Sequence, residues 1–495
     1  MALELIPIPQ ASPDPPWRSA LLDPLTYPHP VRDLQVVETH ISWVVLTGDL
    51  VYKLKKPVNF GFIDFSTPER RRLFCGDEVR LNLRNAPELY VGVVPLELVD
   101  GAFRFGKEAE PAGQAVEHAV CMRQFPRRDR LDHVAARGEL SRDLLKLLSA
   151  EVARAHGSPS QELHAIANTY PERLENIFRC NSLLLPDSPV ERSLRLRWSQ
   201  ALNRCRDLLT LRSRAGRVRE CHGDLHLGNI CLWKGKPVLF DCIEFSEDLR
   251  VIDVLSDTAF LFMDLIDSGL AADAHFFLNC YLEATGDYSG LEAWRLFVAY
   301  RAHVRAMVAH LSAQSARRDR YLSLSGDALE APHGGIVLMA GLPGSGKSTE
   351  ALRIACEEGG VRIRSDVERK RLHASHPDVA LYSREMSRRT YESLISQARA
   401  ACLGGLVAVL DATFHLREDR ACAIRLAADL RAPVRIVHLT APLDVLESRA
   451  RSRRAAGGDP SDADERVLHE IAAQWEPFLP EELAMVTEIR ADRQA

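Results

Sequence analysis

The chain has 495 residues, 46% hydrophobic and 26% charged, with a formal net charge of −5 and a pI near 6.4. That length suits two or three domains, each with its own core, and that charge argues against strong non-specific nucleic-acid binding. The 11 cysteines are scattered without a C-x-x-C pair, which excludes a zinc ribbon or disulfide framework and points to a reducing compartment.

Residues 1–20 are proline-rich and read as an extended arm, with no basic segment leading an apolar run, so no secretory signal is expected. Residues 34–65 alternate in polarity and are β-branched, with Thr47-Gly48-Asp49 as a turn between two strands. Residues 68–85 carry Leu73, Val79 and Leu83 at helical spacing, and residues 89–105 and 116–125 read as further strands. From 138 to 215 the pattern is helical, a strand-and-loop region follows at 219–246, and helices resume to about 325. The most apolar stretch, Thr258–Leu270, is short and contains Asp264 and Asp267, so it reads as a core helix and no membrane contact is expected. The cytoplasm is the expected location. The small residues of Ser323–Gly335 predict a linker, and Ile336–Ala340 opens a compact α/β region.

Two constellations carry chemistry. In the first, Cys221-His222-Gly223-Asp224-Leu225-His226-Leu227-Gly228-Asn229 precedes Val238-Leu239-Phe240-Asp241. Phosphoryl transfer needs a carboxylate to orient or deprotonate a hydroxyl, and oxygen ligands for the Mg²⁺ that neutralises a triphosphate. Asp224 is the expected base, and Asn229 and Asp241 the expected metal ligands. The bland alternative is ordinary Asp, Asn and Gly turn chemistry. His222 and His226 read as packing and hydrogen-bonding residues.

His-Gly-Asp-Leu-His-x-x-Asn with a following Asp resembles the aminoglycoside phosphotransferase family, whose fold is kinase-like and two-lobed and whose members phosphorylate hydroxyls of small molecules. The resemblance covers roughly residues 35–320 in plan and is motif-grade over 221–253. It implies that Lys53, on the strand Val51-Tyr52-Lys53, pairs with Glu78 on the next helix to hold the α/β-phosphates. Lys55, on the same strand face, is the alternative, and a solvated strand edge is the bland reading of either lysine. The resemblance also makes Asp253 the structural Asp that closes the second motif. The chain departs from the family in two places. Glu247-Asp248-Leu249 stands for the usual Gly-Asp-Pro, and Thr39-His40-Ile41-Ser42 stands where a glycine-rich loop would lie.

In the second constellation, an apolar strand runs into Gly341-Leu342-Pro343-Gly344-Ser345-Gly346-Lys347-Ser348-Thr349, the G-x-x-x-x-G-K-S pattern in its proper context. The glycines let backbone N–H groups turn around phosphate oxygens, Lys347 reaches the β/γ-phosphates and Ser348 ligates Mg²⁺. Asp366 follows a second strand and is the expected base, with Arg369 on its helix face gripping substrate or phosphate. A helix N-cap is the other reading of Asp366. Asp411 ends the strand Leu406–Leu410 as a metal-side carboxylate. Arg449 and Arg453 share a helix face as lid arginines, against the alternative of a solvated basic face.

Residues 334–490 resemble the P-loop kinases related to polynucleotide kinase, zeta toxins and gluconate kinase, and the whole resembles a bacterial two-domain family. The expected fold is thus an α+β kinase-like domain over 1–330 (lobes about 30–125 and 126–325) and an α/β P-loop domain with a parallel sheet over 331–495. The expected function is an ATP- and Mg²⁺-dependent phosphotransferase acting on a small-molecule hydroxyl. The alternatives are a P-loop kinase of nucleic-acid 5′-hydroxyls, ranked lower because stacking aromatics are few, and a nucleotide switch with a non-catalytic N-terminal domain.

Overall fold

The computed structural model describes residues 14–59, 63–106, 113–157, 169–330, 333–456 and 465–490. Packing divides the chain into two compact units, Met1–Asn168 with Gly216–Asp257, and Thr169–Ala215 with Thr258–Ala495. The division expected at residue 330 follows chain order, whereas packing groups the helices after Asp257 with the α/β region.

The first unit is built on a six-stranded antiparallel sheet. In chain order its strands are β1 (Gln35–Glu38), β2 (Ser42–Leu46), β3 (Leu50–Lys55), β4 (Tyr90–Val99), β5 (Ala102–Phe105) and β6 (Gln114–Arg123), arranged β1-β2-β3-β6-β4-β5. Alternation along β3 decides what each face does. Tyr52 and Leu54 enter an apolar cluster with Trp17, Tyr27, Trp43 and Phe105, so Lys53 and Lys55 must point to the opposite face. That face is covered by helix α1 (Pro68–Asn82). Thr67 caps α1 by accepting from the Arg70 amide at 3.3 Å, and Pro68 fits its first turn. The buried stripe of α1 is Arg71, Cys75, Glu78, Leu81 and Asn82, which places a carboxylate under the lysines. Two short helices follow, α2 (Leu131–Ala136) and α3 (Arg142–His156). After the 215/216 boundary come β7 (Val218–Glu220), paired antiparallel with β10 (Val251–Asp253), and the hairpin β8 (Ile230–Trp233) and β9 (Lys236–Leu239).

The second unit holds helices α4 (Tyr170–Leu183), α5 (Pro189–Arg214), α6 (Val254–Asp267), α7 (Ala271–Thr285), α8 (Trp294–Leu311) and α9 (Ser315–Glu330), α6 beginning in the last residues of the first unit. It also holds a parallel sheet ordered β12-β13-β11-β14-β15, with β11 (Ile336–Ala340), β12 (Gly360–Arg364), β13 (Val407–Asp411), β14 (Val434–Thr440) and β15 (Val486–Arg490). Helices α10 (Lys347–Glu357), α11 (Ser365–Ser375), α12 (Arg384–Leu403), α13 (Arg417–Leu430), α14 (Leu443–Ala456) and α15 (Glu465–Ala473) connect the strands. Val337, Met339, Val409, Val437 and Leu439 pack against Ala351, Ile354 and Ala355 of α10.

The linker expected over Ser323–Gly335 is corrected for its first part: Ser323–Glu330 is the second half of α9. Small residues there are buried within a helix rather than spread along a linker. Ser325 and Gly326 are buried, and the Ser325 hydroxyl donates to the Ala299 carbonyl at 2.9 Å. Residues 331–332 lie outside the described residues. Among the described residues no helix is long and apolar enough to cross a membrane, and no disulfide forms.

Candidate active sites

In the first unit, Glu78 divides its two oxygens between two lysines. Lys53 Nζ donates to Oε1 at 2.9 Å and Lys55 Nζ to Oε2 at 2.8 Å. Lys53 also contacts Asp241, and Lys55 contacts Glu244. Burial disfavours the Lys53 charge, but Asp241, Glu78 and Glu244 outweigh it and hold its pKa well above the ordinary value. Burial likewise opposes ionisation of Glu78, yet the two lysines pull its carboxyl below the usual range. Both lysines are buried, so the solvated-edge reading does not describe them.

Asp224, Asn229 and Asp241 come from the loops around β8 and β9. Asn229 spends its amide nitrogen on Asp224, donating to the carbonyl at 3.0 Å and to Oδ2 at 2.9 Å, which leaves its oxygen as the atom suited to a cation. His226 Nε2 lies 3.4 Å from the same Asp224 oxygen. Asp241 sits in the left-handed region at φ 62°, a conformation costing about 1–3 kcal/mol away from glycine, and its amide donates to the Tyr90 hydroxyl at 3.2 Å. The side chains of Asp224 and Asp241 are 37% and 39% exposed while Glu78 is fully buried, so the first two carboxylates face outward and the third faces inward. Asp224, Asn229 and Asp241 each offer a side-chain oxygen, the ligand type Mg²⁺ prefers.

A second carboxylate holds this loop from behind. Asp257 accepts from the amides of His222 and Gly223, both at 3.0 Å, and His156 Nε2 lies 3.2 Å from it. His156, Cys221 and Asp257 lie close enough to share a metal ion, but this carboxylate is already engaged in bracing the loop. Gly223 is at φ 84°, and a Cβ there would meet the Leu249 carbonyl at 2.9 Å. Asp253, the expected structural Asp, is buried and accepts from the Leu255 amide at 2.9 Å. Burial lowers the His222 pKa, against the pull of Asp257 and Asp224, and its ring bridges the Asp224 amide at 3.3 Å and the Phe240 carbonyl at 2.9 Å. Thr39 and Ser42 close a tight turn between β1 and β2, the Ser42 amide donating to Thr39 Oγ1 at 2.9 Å. Glu244 and Asp257 escaped the sequence reading. A buried Asp at the head of the apolar run from Thr258 was the available signal.

In the second unit, Gly341–Thr349 wraps from β11 into α10. A Cβ on Gly341 would lie 2.4 Å from the Leu439 carbonyl, and Gly344 and Gly346 stand at φ 88° and 90°. Lys347 Nζ curls over the loop to the Leu342 carbonyl at 2.8 Å, and Thr349 follows in the first turn of the helix. This cradle suits phosphate oxygens. Asp411 is buried at the end of β13, where burial raises its pKa against the opposing pull of Arg362, Arg364, a hydrogen bond with Ser348, and Lys347. Arg449 Nη1 reaches the Gly344 carbonyl at 3.4 Å. Arg453 lies on the same helix, and its side chain is outside the described residues. Asp366 is the second residue of α11, whose N-cap position is Arg364, so the capping reading does not describe it. Arg369 donates to Ser387 Oγ at 2.9 Å and lies over the Tyr382 ring at 5.7 Å. The expected residues fall into two sets, one in each unit: Lys53, Glu78, Asp224, Asn229 and Asp241, and then the loop, Asp366, Arg369, Asp411 and Arg449.

Residues 336–478 match the AAA_33 family, described as an AAA domain. Over 471 residues the chain is 31% identical to Uncharacterized protein Rv2004c of Mycobacterium tuberculosis and to Uncharacterized protein Mb2027c of Mycobacterium bovis, covering 90% of this chain and 91% of each relative. Among solved structures, a choline/ethanolamine kinase family protein from Mesorhizobium loti aligns at TM-score 0.38 and 13% identity, over 63% of this chain and 95% of that one. A sugar kinase from Janibacter sp. aligns at TM-score 0.26 and 22% identity, over 33% of this chain and 87% of that one. In chain order the antiparallel sheet precedes an AAA-family domain over residues 336–478.

Proposed function

Since the chain belongs to the family of the mycobacterial Rv2004c and Mb2027c proteins, we propose that this family consists of ATP- and Mg²⁺-dependent phosphotransferases with two nucleotide sites, at least one of which phosphorylates a hydroxyl of a small molecule. The observation that carries the reading is the convergence of Lys53, Glu78 and Asp241 in one ion-paired chain. Lys53 and Asp241, 188 positions apart in sequence, meet there beside the lysine–glutamate pair that protein kinases use to place a triphosphate. On this reading residues 1–330 form the kinase-like domain and 331–495 the P-loop domain, in the cytoplasm.

In the first site Asp224 orients the acceptor hydroxyl and takes its proton, Lys53 grips the α/β-phosphates, and Asn229 with Asp241 holds Mg²⁺, which supplies charge neutralisation at the transferring phosphate. In the second site the Gly341–Thr349 loop and Arg449 surround the nucleotide tail, and Ser348 and Asp411 attend the metal. Asp366 is placed to orient an acceptor beside Arg369. The nucleic-acid alternative has one supporting feature, Tyr382, 62% exposed beside Arg369. The other aromatics of the region pack on one another: Tyr391 against Phe414, and His438, Trp475 and Phe478 together.

The test is a metabolite-pool screen with purified full chain and γ-labelled ATP, run beside Asp224→Asn and Lys347→Ala variants. The expected result is label on a small molecule, lost in at least one variant. Retention of all transfer in both variants would remove the kinase reading of both sites, and label on an added oligonucleotide would promote the alternative.

A further inference from the structure

Strand β12 is an edge strand of the parallel sheet, yet its outer side is covered. Helix α7, which precedes the P-loop region in sequence and lies in the same compact unit, lends it side chains. Asn279 Nδ2 donates to the Gly360 carbonyl at 3.1 Å, and Asn279 Oδ1 accepts from the Arg362 amide at 2.5 Å. One carboxamide thus pairs with the edge as a neighbouring strand would. His275 Nδ1 lies 3.1 Å from the same Gly360 carbonyl, and the Tyr288 hydroxyl donates to the Arg362 carbonyl at 3.2 Å.

The same helix also reaches toward the metal side of the site. Glu283 accepts from Arg362 Nη2 through Oε2 and from Arg364 Nη1 through Oε1, both at 2.8 Å. Each arginine then comes up to a residue proposed above to attend the metal. Arg362 Nη1 donates to the Ser348 carbonyl at 2.9 Å. Arg364 Nε lies 3.6 Å from Asp411 Oδ2, beside that carboxylate but too far for a normal hydrogen bond. Both arginine side chains are 12% exposed and Asp411 is 5% exposed, so these charges interact with little screening by water.

The geometry points to Glu283 as a positioning residue of the P-loop centre. By holding Arg364 on its own carboxylate, it keeps that guanidinium from closing on Asp411 and so keeps the Asp411 oxygens accessible to Mg²⁺. This rests on the reading of the P-loop as a metal–nucleotide site. Without Glu283, Arg364 still has the Asp411 carboxylate 3.6 Å away, and the arginine then competes with the cation. Neither Glu283 nor Arg364 belongs to the motif residues that define the site in sequence.

The test measures binding, in the full chain carrying Asp241→Asn so that metal-dependent signal comes from the P-loop. Calorimetry gives the affinity for ATP in Mg²⁺ and in EDTA, and a Mg²⁺ titration gives the metal's apparent dissociation constant. Glu283→Gln is expected to weaken Mg²⁺ binding by about tenfold, the size of one competing charge contact. ATP affinity in EDTA should stay within twofold. Adding Arg364→Ala to Glu283→Gln should restore the Mg²⁺ affinity, which loss of mere structural support would not allow. Asn279→Leu, which breaks the backbone clasp and leaves Glu283 in place, should lower the melting temperature and leave Mg²⁺ affinity unchanged. An unchanged Mg²⁺ constant in Glu283→Gln, or no recovery in the double variant, overturns the inference. Failure of the Asp241→Asn parent to bind Mg²⁺·ATP at all overturns the P-loop reading beneath it.

Discussion

Lys53 and Lys55 differ by two positions, share one strand face and share Glu78, yet their second partners give them different work. Lys53 turns to Asp241, a side chain that is 39% exposed, and Lys55 to Glu244, which is buried. Lys53→Met is therefore expected to abolish nucleotide binding at the first site. Lys55→Met leaves Glu244 buried without its cation and should cost about 3–5 kcal/mol of stability, read by urea denaturation. The alternation of β3 makes both lysines visible in the sequence as candidates. It does not tell them apart, because Glu244 lies almost 190 residues away and only folding brings it in. A second residue with a measurable signature is Asp419, whose pKa rises from 3.8 to about 6 through burial and then the nearby Glu418 and Glu476 charges, with Arg420 opposing. A pKa raised on folding gives stability present at low pH and lost as pH climbs through 6. Asp419→Asn should therefore raise the melting temperature by a few degrees at pH 8 and by nothing measurable near pH 4, followed by calorimetric scans across that window.

The turns and strands that carry the two motifs were legible because their chemistry is local. A glycine cradle between a strand and a helix, or Asp and Asn five residues apart in one loop, follows from residues that are near neighbours in sequence. Gly341→Ala tests that locality: with the Leu439 carbonyl 2.4 Å from the added carbon, the loop must shift, and ATP affinity at the P-loop should fall at least tenfold by calorimetry. The covering of β12 was not legible. Helix α7 reads as an ordinary apolar helix, and its Asn279 and Glu283 acquire partners only from a strand some 80 residues on. The Ser323–Glu330 stretch misled for a related reason, since serine and glycine resemble a linker until a neighbouring helix buries them.

The molecule places one set of phosphate- and metal-directed residues in each compact unit, and the second unit joins helices from before residue 330 to the P-loop sheet. A fragment beginning at His333 loses Asn279, Tyr288 and Glu283 together, exposing the edge of β12. It should melt well below the same region in the full chain, and it should tend to associate. The central claim is two nucleotide sites in one chain. Isothermal calorimetry with Mg²⁺ and a non-hydrolysable ATP analogue tests it most directly. Two analogues bound per chain, falling to one in either Lys53→Met or Lys347→Ala and to none in the double variant, is the expected outcome. A single bound analogue that persists in both single variants would contradict it.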